Sequence, residues 1–378
     1  MRRLSLLAAV PLIPLLLAPA AAPADAKPKP TALVTLGDSY ISGEAGRWNG
    51  NSANATGSRN GTDRAWVQTA LAGYYDPTRV YGDTYEACDR SDVAPALSND
   101  VNVDVKLNIA CSGAKTVNVI RAANGGTGQH GEQPQTDQLA ELAKTHDLEL
   151  VLLSIGGNDL GFASIIQDCV VAYTSTLRRC ADTQQQTVDA AMPAAMDGVR
   201  RSIDDIRTVL AEAGQKPNSY RLVLQSYPSP IPRGADNRYP ERLVSRTAIG
   251  SCPFWDSDSD WARDHLVPQI STMLEAVAKE KSVQLLDLSD AFSGREACAT
   301  GSSQPLRAPS GEHSEWARFL TLGATQGIVQ ESLHPNAYGQ QAMGRCYTLL
   351  MNASKNQNVR CLNTPGLGPE GMRLGSAN

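Results

Sequence analysis

No two of the eight cysteines form a Cys-x-x-Cys pair, so the closely spaced ligand pairs of a structural zinc site are missing. His130, His146, His265 and His313 also lack metal-ligand spacing, and no metal or other cofactor is expected. Beyond residue 26 no run approaches the roughly eighteen uninterrupted apolar residues of a transmembrane helix, which argues against a stable membrane span. Neither sign of charge dominates: 34 Lys and Arg stand against 39 Asp and Glu, a net −5. That mild acidity argues against nucleic acid or an anionic membrane as the main partner. No Gly-x-Ser-x-Gly elbow occurs, which speaks against the ordinary α/β-hydrolase fold. Ser112-Gly113-Ala114-Lys115 fits the Ser-x-x-Lys of penicillin-binding enzymes, but its companions Ser-Asp-Asn and Lys-Thr-Gly are absent. No low-complexity linker divides the middle of the chain, so the part that folds reads as one large α/β domain with long loops.

What the chain does have begins with a targeting segment. Met1-Arg2-Arg3 is a positive start, Leu6 to Leu17 is apolar but broken by Pro11 and Pro14, and Ala24-Asp25-Ala26 is an Ala-x-Ala cleavage site. Residues 1–26 therefore read as a signal peptide, 27–362 as the folded domain, and 363–378, rich in Gly and Pro, as a flexible tail. Eight cysteines in an exported chain point to four disulfides. Roughly a hundred pairings are open to eight cysteines. The spacing favours neighbours: Cys88–Cys111, Cys169–Cys180, Cys252–Cys298 and Cys346–Cys361.

The stretch from Ala32 to Tyr40 reads as a short buried strand that stops at a glycine and presents a serine, since Leu33, Val34 and Leu36 are apolar and bounded. Gly37 permits a sharp exit, leaving Asp38-Ser39 at the carboxyl end of the strand, where open α/β sheets hold their ligands. The plainer alternative is an Asp-Ser helix cap. Val101 to Ile109 alternates strictly and predicts a half-buried strand leading into Ala110-Cys111-Ser112-Gly113. Leu148 to Ile155 predicts a buried strand ending at Gly156-Gly157-Asn158-Asp159. Further strands are expected over 221–224 and 283–288. Helices are expected over 133–144, 187–213 with a kink or break at Pro193, 261–281, and from just after Pro335 to about Met351. This alternation predicts a parallel sheet covered on both faces. The Gly/Asn/Ser-rich run from Asn49 to Gly61 reads as a surface loop carrying the glycosylation acceptors Asn54 and Asn60. Asp256 to Asp260 is spaced like the start of a calcium loop. Trp261 replaces the required glycine and Val267 the closing glutamate, so it reads as the acidic start of a helix.

Three strand ends are thus small, polar turns, which a parallel sheet places on one edge. Glu331-Ser332-Leu333-His334-Pro335-Asn336 sets a histidine just before a helix and fixes it with a proline. Taken singly these are a helix cap, a turn glycine and a helix start. Taken together they are the parts of acyl transfer: a serine that attacks, a histidine that takes its proton, and donors for the oxyanion.

At these residues the chain resembles the SGNH hydrolases, also called GDSL lipases and esterases. Gly37-Asp38-Ser39 is similar to the nucleophile block, Ser112-Gly113 to the oxyanion-glycine block, Gly157-Asn158-Asp159 to the oxyanion-asparagine block and His334-Pro335 to the base block, in the family's order. Cys88-Asp89-Arg90-Ser91 and Asn108 to Gly113 resemble the secreted actinobacterial branch, whose cysteines pair in order. Tyr40 stands where the name-giving leucine usually stands, as is common in that branch. The resemblance implies a three-layer α/β/α, flavodoxin-like fold with a central parallel sheet. It also implies Ser39 as nucleophile, His334 as base, and an oxyanion hole made of the Ser39 N–H, the Gly113 N–H and the Asn158 side chain. The family's aspartate three residues before the histidine is here Glu331. Either its carboxylate orients His334, or a main-chain carbonyl nearby does so, as in some secreted relatives. A secreted, monomeric, cofactor-free esterase or lipase is implied, cleaving small-molecule or lipid carboxylic esters through an acyl-enzyme. A carbohydrate esterase (deacetylase) of the same fold, or a lipid- or carbohydrate-binding relative without turnover, is the alternative.

Overall fold

Leu33, Val34 and Leu36 have no solvent exposure, because the strand that carries them, β1 (Thr31–Gly37), has a neighbouring strand on either side. A computed structural model describes residues 28–51, 65–82, 86–303, 309–323, 327–355 and 357–376. The expected signal peptide and the acceptors Asn54 and Asn60 lie outside the described residues. After β1 come α1 (Ser39–Ser42), the hairpin β2 (Trp66–Gln68) and β3 (Gly73–Tyr75), α2 (Thr78–Tyr81), β4 (Val105–Asn108), α3 (Thr116–Val119) and α4 (Gln135–Thr145). The chain continues through β5 (Asp147–Ser154), α5 (Phe162–Val171), α6 (Ala181–Glu212), β6 (Arg221–Gln225), α7 (Asp256–Trp261), α8 (Val267–Lys281) and β7 (Gln284–Asp287). It ends with α9 (Ala337–Met351), β8 (Val359–Leu362) and β9 (Arg373–Ser376).

The main sheet has the order β4-β1-β5-β6-β7-β8-β9. Every pairing is parallel except the last, β8 with β9. This is the α/β architecture expected of alternating strands and helices, with a central, mostly parallel sheet. β1, β5 and β6 form its centre, where Leu150 to Leu153 and Val223 are fully buried. The carboxyl ends of β1, β4 and β5 lie side by side at one edge, so the turns that follow them converge there.

Several expectations are corrected by the structure. The alternating run 101–109 forms a strand only from Val105. The Asp104 carboxylate accepts the Thr31 N–H at 2.8 Å and its hydroxyl at 2.9 Å, closing the ladder where β1 begins. Pro193 neither divides nor ends its helix: α6 runs through it for 32 residues. Pro193 and Asp189 are both exposed, so the carbonyl that the missing N–H leaves without its helical donor lies on a face open to solvent. The helix expected from Trp261 starts at Asp256, and a π-helical turn over Ala262–Leu266 joins α7 to α8. Asp258 in that acidic stretch accepts the N–H groups of Cys180 and Ala181 at 3.1 and 3.2 Å, satisfying donors at the start of α6. Of the run expected to be a surface loop from Asn49, the described residues reach only to Asn51, and Gly50 and Asn51 are buried. Asn51 is fully enclosed, donating to the Ala317 carbonyl at 2.7 Å and accepting from the Phe319 N–H at 3.0 Å. The tail expected to be flexible supplies β9, in register with β8 from Val359↔Ser376 to Leu362↔Arg373.

Disulfides join Cys88–Cys111, Cys169–Cys180, Cys252–Cys298 and Cys346–Cys361, and no described cysteine is free. Cys346–Cys361 ties α9 to β8. The carboxyl end of α9 is held from β6, where Arg221 donates to the Leu350 carbonyl at 2.6 Å and the Met351 carbonyl at 3.2 Å. Cys88–Cys111 closes a 23-residue separation immediately before Ser112. Replacing both of its cysteines with alanine is expected to lower unfolding free energy by about 3 kcal/mol, read from urea denaturation. An unchanged midpoint would show that other contacts hold this turn.

Candidate active site

The turn after β1 is forced by backbone proximity. Gly37 has φ +138, and a Cβ there would come within 1.9 Å of the Ser154 carbonyl oxygen. Only glycine fits this approach. The Asp38 N–H donates to that same oxygen at 3.0 Å. The buried Gln135 amide clamps Gly37 from α4, accepting its N–H at 2.7 Å and donating to its carbonyl at 2.8 Å. Ser39 therefore opens α1 at the edge of the sheet with Asp38 as its N-cap.

His334 reaches this serine from 295 residues away: Nε2 lies 2.7 Å from Ser39 Oγ. Its Nδ1 lies 3.1 Å from the Ser332 carbonyl oxygen. A carbonyl can only accept, so Nδ1 carries the proton and Nε2 presents its lone pair to the serine hydroxyl. Burial pushes the imidazole pKa down to about 4, against the opposing effect of main-chain carbonyls at 330–332, which leaves it neutral near pH 7. Leu333, just before it, is held at φ 63. The Tyr40 hydroxyl donates to the Leu333 carbonyl at 3.0 Å, and the Tyr40 ring lies 5.1 Å from the imidazole. The tyrosine that replaces the family's leucine thus packs against His334.

The Glu331 carboxylate does not orient His334; the main-chain carbonyl of Ser332 does. Glu331 is fully buried, and among the described residues its carboxylate makes no hydrogen bond to the imidazole. It accepts from Trp48 Nε1 at 2.8 Å and from the Tyr75 hydroxyl, and lies 3.5 Å from Arg318 Nε. Arg318 is itself buried and stacks 3.8 Å above the Trp48 ring. Burial raises the Glu331 pKa while Arg318 opposes the shift. Its role is to anchor the histidine loop. Arg318 shares that loop's backbone, donating its N–H to the His334 carbonyl at 2.9 Å and accepting the Leu333 N–H at 3.0 Å.

The candidate oxyanion donors lie on the neighbouring turns. Gly113 has φ +75, a conformation that favours glycine. Among the described residues no acceptor takes the Ser39 or Gly113 N–H. The Asn158 amide donates one N–H to the Ala114 carbonyl at 3.0 Å, which joins the second and third turns and leaves its other N–H available. Asp159 accepts the Thr116 N–H at 3.0 Å and hydroxyl at 2.7 Å, fixing the start of α3.

Two further participants sit in the same cluster without having drawn attention as sequence. The Tyr227 hydroxyl donates to Asp38 Oδ2 at 2.5 Å and accepts the Gly157 N–H at 3.1 Å, so it bridges the first and third turns. Burial raises the Asp38 carboxyl to about 7, although the Tyr227 hydroxyl and the Tyr40 N–H both favour its charged form. Tyr227 follows β6 by two residues, and a tyrosine at the same strand edge was the signal available for it. Glu44, five residues after Ser39, is fully buried. An acid inside the Ser42-Gly43-Glu44-Ala45-Gly46 run was the corresponding signal there.

Residues 35–342 match the GDSL-like lipase/acylhydrolase family. "Lipase 1" of Streptomyces coelicolor is 29% identical over 231 residues, 61% of this chain and 64% of that protein, so the chain spans less than two thirds of that relative's length. The crystal structure of phospholipase A1 from Streptomyces albidoflavus NA297 covers 86% of this chain and 98% of its own, with 22% identity and a TM-score of 0.50, a likeness of fold. An extracellular lipase from Streptomyces rimosus aligns over 85% of this chain and 98% of its own, at 22% identity and a TM-score of 0.44.

The geometry separates anchoring from chemistry at Glu331. Glu331→Gln removes the negative charge beside the buried Arg318 and is expected to cost about 3 kcal/mol of stability, measured by urea unfolding. The folded variant should keep its rate within tenfold (roughly the cost of one lost contact), since Ser332 still holds Nδ1. A large fall in kcat at unchanged stability would return the carboxylate to the chemistry.

Proposed function

The chain belongs to the GDSL-like lipase/acylhydrolase family, and from that premise we propose that it is a secreted serine hydrolase cleaving carboxylic esters through an acyl-enzyme. The observation that carries this reading is the 2.7 Å approach of His334 Nε2 to Ser39 Oγ. A serine hydroxyl is a weak nucleophile until a base takes its proton, and a neutral imidazole in hydrogen-bond contact is such a base.

In this mechanism Ser39 Oγ attacks the ester carbonyl as its proton passes to Nε2. The Nδ1–H keeps donating to the Ser332 carbonyl and holds the ring in place. The developing oxyanion takes hydrogen bonds from the Ser39 and Gly113 N–H groups and the free Asn158 N–H, each such donor being worth roughly 3 kcal/mol in the transition state. Collapse breaks the ester C–O bond, Nε2 protonates the departing alcohol, and water then releases the acid by the same steps in reverse. Asp38 and Tyr227 touch none of the reacting atoms and hold the turns in register. Acyl esters, including lipids, are the substrate class; the names of the Streptomyces relatives support this choice. Residues 1–26 and the four disulfides support export to an oxidising compartment.

Hydrolysis of p-nitrophenyl esters of increasing chain length is expected for the wild type, and Ser39→Ala should lower kcat by roughly 10⁴-fold or more. Equal inactivity of the two proteins at every chain length would refute the reading. The base works only when neutral, and burial holds it neutral down to about pH 4. The acid limb of kcat/KM should therefore have its midpoint near 4, well below the ordinary histidine value of about 6.5. A midpoint at the ordinary value would show a solvated imidazole.

A further inference from the structure

His334 has a carbonyl on Nδ1, where many serine hydrolases have a carboxylate. Among the described residues the carboxyl that pairs with a nitrogen of this ring belongs to Glu44, whose Oε2 lies 3.6 Å from Nε2. The same oxygen accepts from the Ser112 hydroxyl at 2.6 Å. Glu44 is fully buried, and among the described residues its Oε1 has no hydrogen-bond partner. Its backbone is fixed as well: the Glu44 carbonyl accepts from Gln340 of α9 at 3.2 Å, and Ala45 is held at φ 61. A buried carboxyl with one oxygen unpaired is costly to the fold. Its position beside the reacting nitrogen supplies a reason for keeping it.

Resting on the hydrolase reading, we propose that Glu44 is a positioning and charge-balancing residue, bracing the Ser112-Gly113 turn and facing the positive charge that arises on Nε2 when Ser39 attacks. No bond to Glu44 forms or breaks in that step. The proton moves from Oγ to Nε2, and a carboxylate 3.6 Å away lowers the energy of the resulting imidazolium. Glu44 thus acts from the Nε2 side of the ring, opposite the side a triad acid would occupy.

The charge on Glu44 depends on pH. Burial raises its pKa well above the usual carboxyl value, the Ser112 hydroxyl opposes this, and the carboxylates of Asp89, Glu331 and Asp38 add to the rise. The other titratable groups coupled to it are the phenols of Tyr40 and Tyr81 and the imidazole itself. Arg318 stands behind Glu331. Raising the pH releases the Glu44 proton to solvent and creates the carboxylate. That charge favours imidazolium, so the rate should climb in a second step above the one belonging to His334.

Glu44→Gln keeps the size of the side chain and an acceptor for Ser112 but cannot ionise. We expect kcat at the alkaline end to fall roughly tenfold with KM unchanged, and the second step of the kcat/KM profile to vanish. Glu44→Asp should restore that step at a lower plateau. A Glu44→Gln profile that superposes on the wild type, or a change in KM alone, overturns the proposal. If Glu44→Gln does not fold, Glu44→Asp carries the test, and wild-type kcat in that variant also overturns it. Labelling of Ser39 by a fluorophosphonate separates the two readings. A wild type that takes no label defeats the hydrolase reading itself. Labelling with the same pH dependence in wild type and Glu44→Gln defeats only the role of Glu44.

Discussion

The backbone contact between Gly37 and Ser154 is the constraint on which the site depends. β1 and β5 stay paired to their last residues, and there the strands leave no room for a side chain. The chain must turn at Gly37, and its next N–H is taken by the same carbonyl that excluded a Cβ. Ser39 is delivered by this turn as the first residue of α1. Nothing in the serine itself sets its position. A neighbouring strand does so, through a distance shorter than a methyl group can occupy.

A second layer of control comes from charge taken out of water. Asp38, Glu44 and Glu331 are all buried within the same few turns, and each has its carboxyl pKa raised by burial. Their partners differ. Asp38 has a tyrosine hydroxyl and an amide N–H, Glu331 an indole, a phenol and a guanidinium, and Glu44 a serine hydroxyl. Such groups stabilise little by themselves, because desolvation offsets most of what their contacts return. Their effect is to join stretches far apart in the chain: Glu331 binds to Trp48 across 283 positions, and Tyr227 to Asp38 across 189. The cluster holds the serine turn, the two donor turns and the histidine loop in one arrangement.

Much of this was legible in the sequence, for a local reason. A glycine after an apolar strand, a glycine in a Ser-Gly turn and a proline after a histidine each restrict the backbone through their own covalent structure. Such restrictions can be read without knowing the neighbours, and the convergence of the turns follows from a parallel sheet. What was not legible depends on neighbours. Glu331 occupies the place of a family aspartate, yet Arg318 and Trp48 draw its carboxylate away from the ring. Asn51 looks like the start of a surface loop by composition and is enclosed because Ala317 and Phe319 supply backbone partners for its amide. Pro193 looks like a helix breaker and is tolerated because it falls on a solvated face. At Glu331 and Asn51 a partner distant in sequence overrides the local signal, and at Pro193 exposure to solvent does.

The antiparallel strand that closes the sheet bears on behaviour in concentrated solution. An open parallel edge at β8 would offer a row of unsatisfied amide groups to any other chain with a free strand. β9 occupies that row, and it is itself four residues long, with Arg373 exposed and Gly375 near its end. So short, charged and glycine-weakened a border is a poor template for further strand addition. Loss of these residues to a protease would uncover β8 and turn the rim of the sheet into a site for edge-to-edge association between molecules.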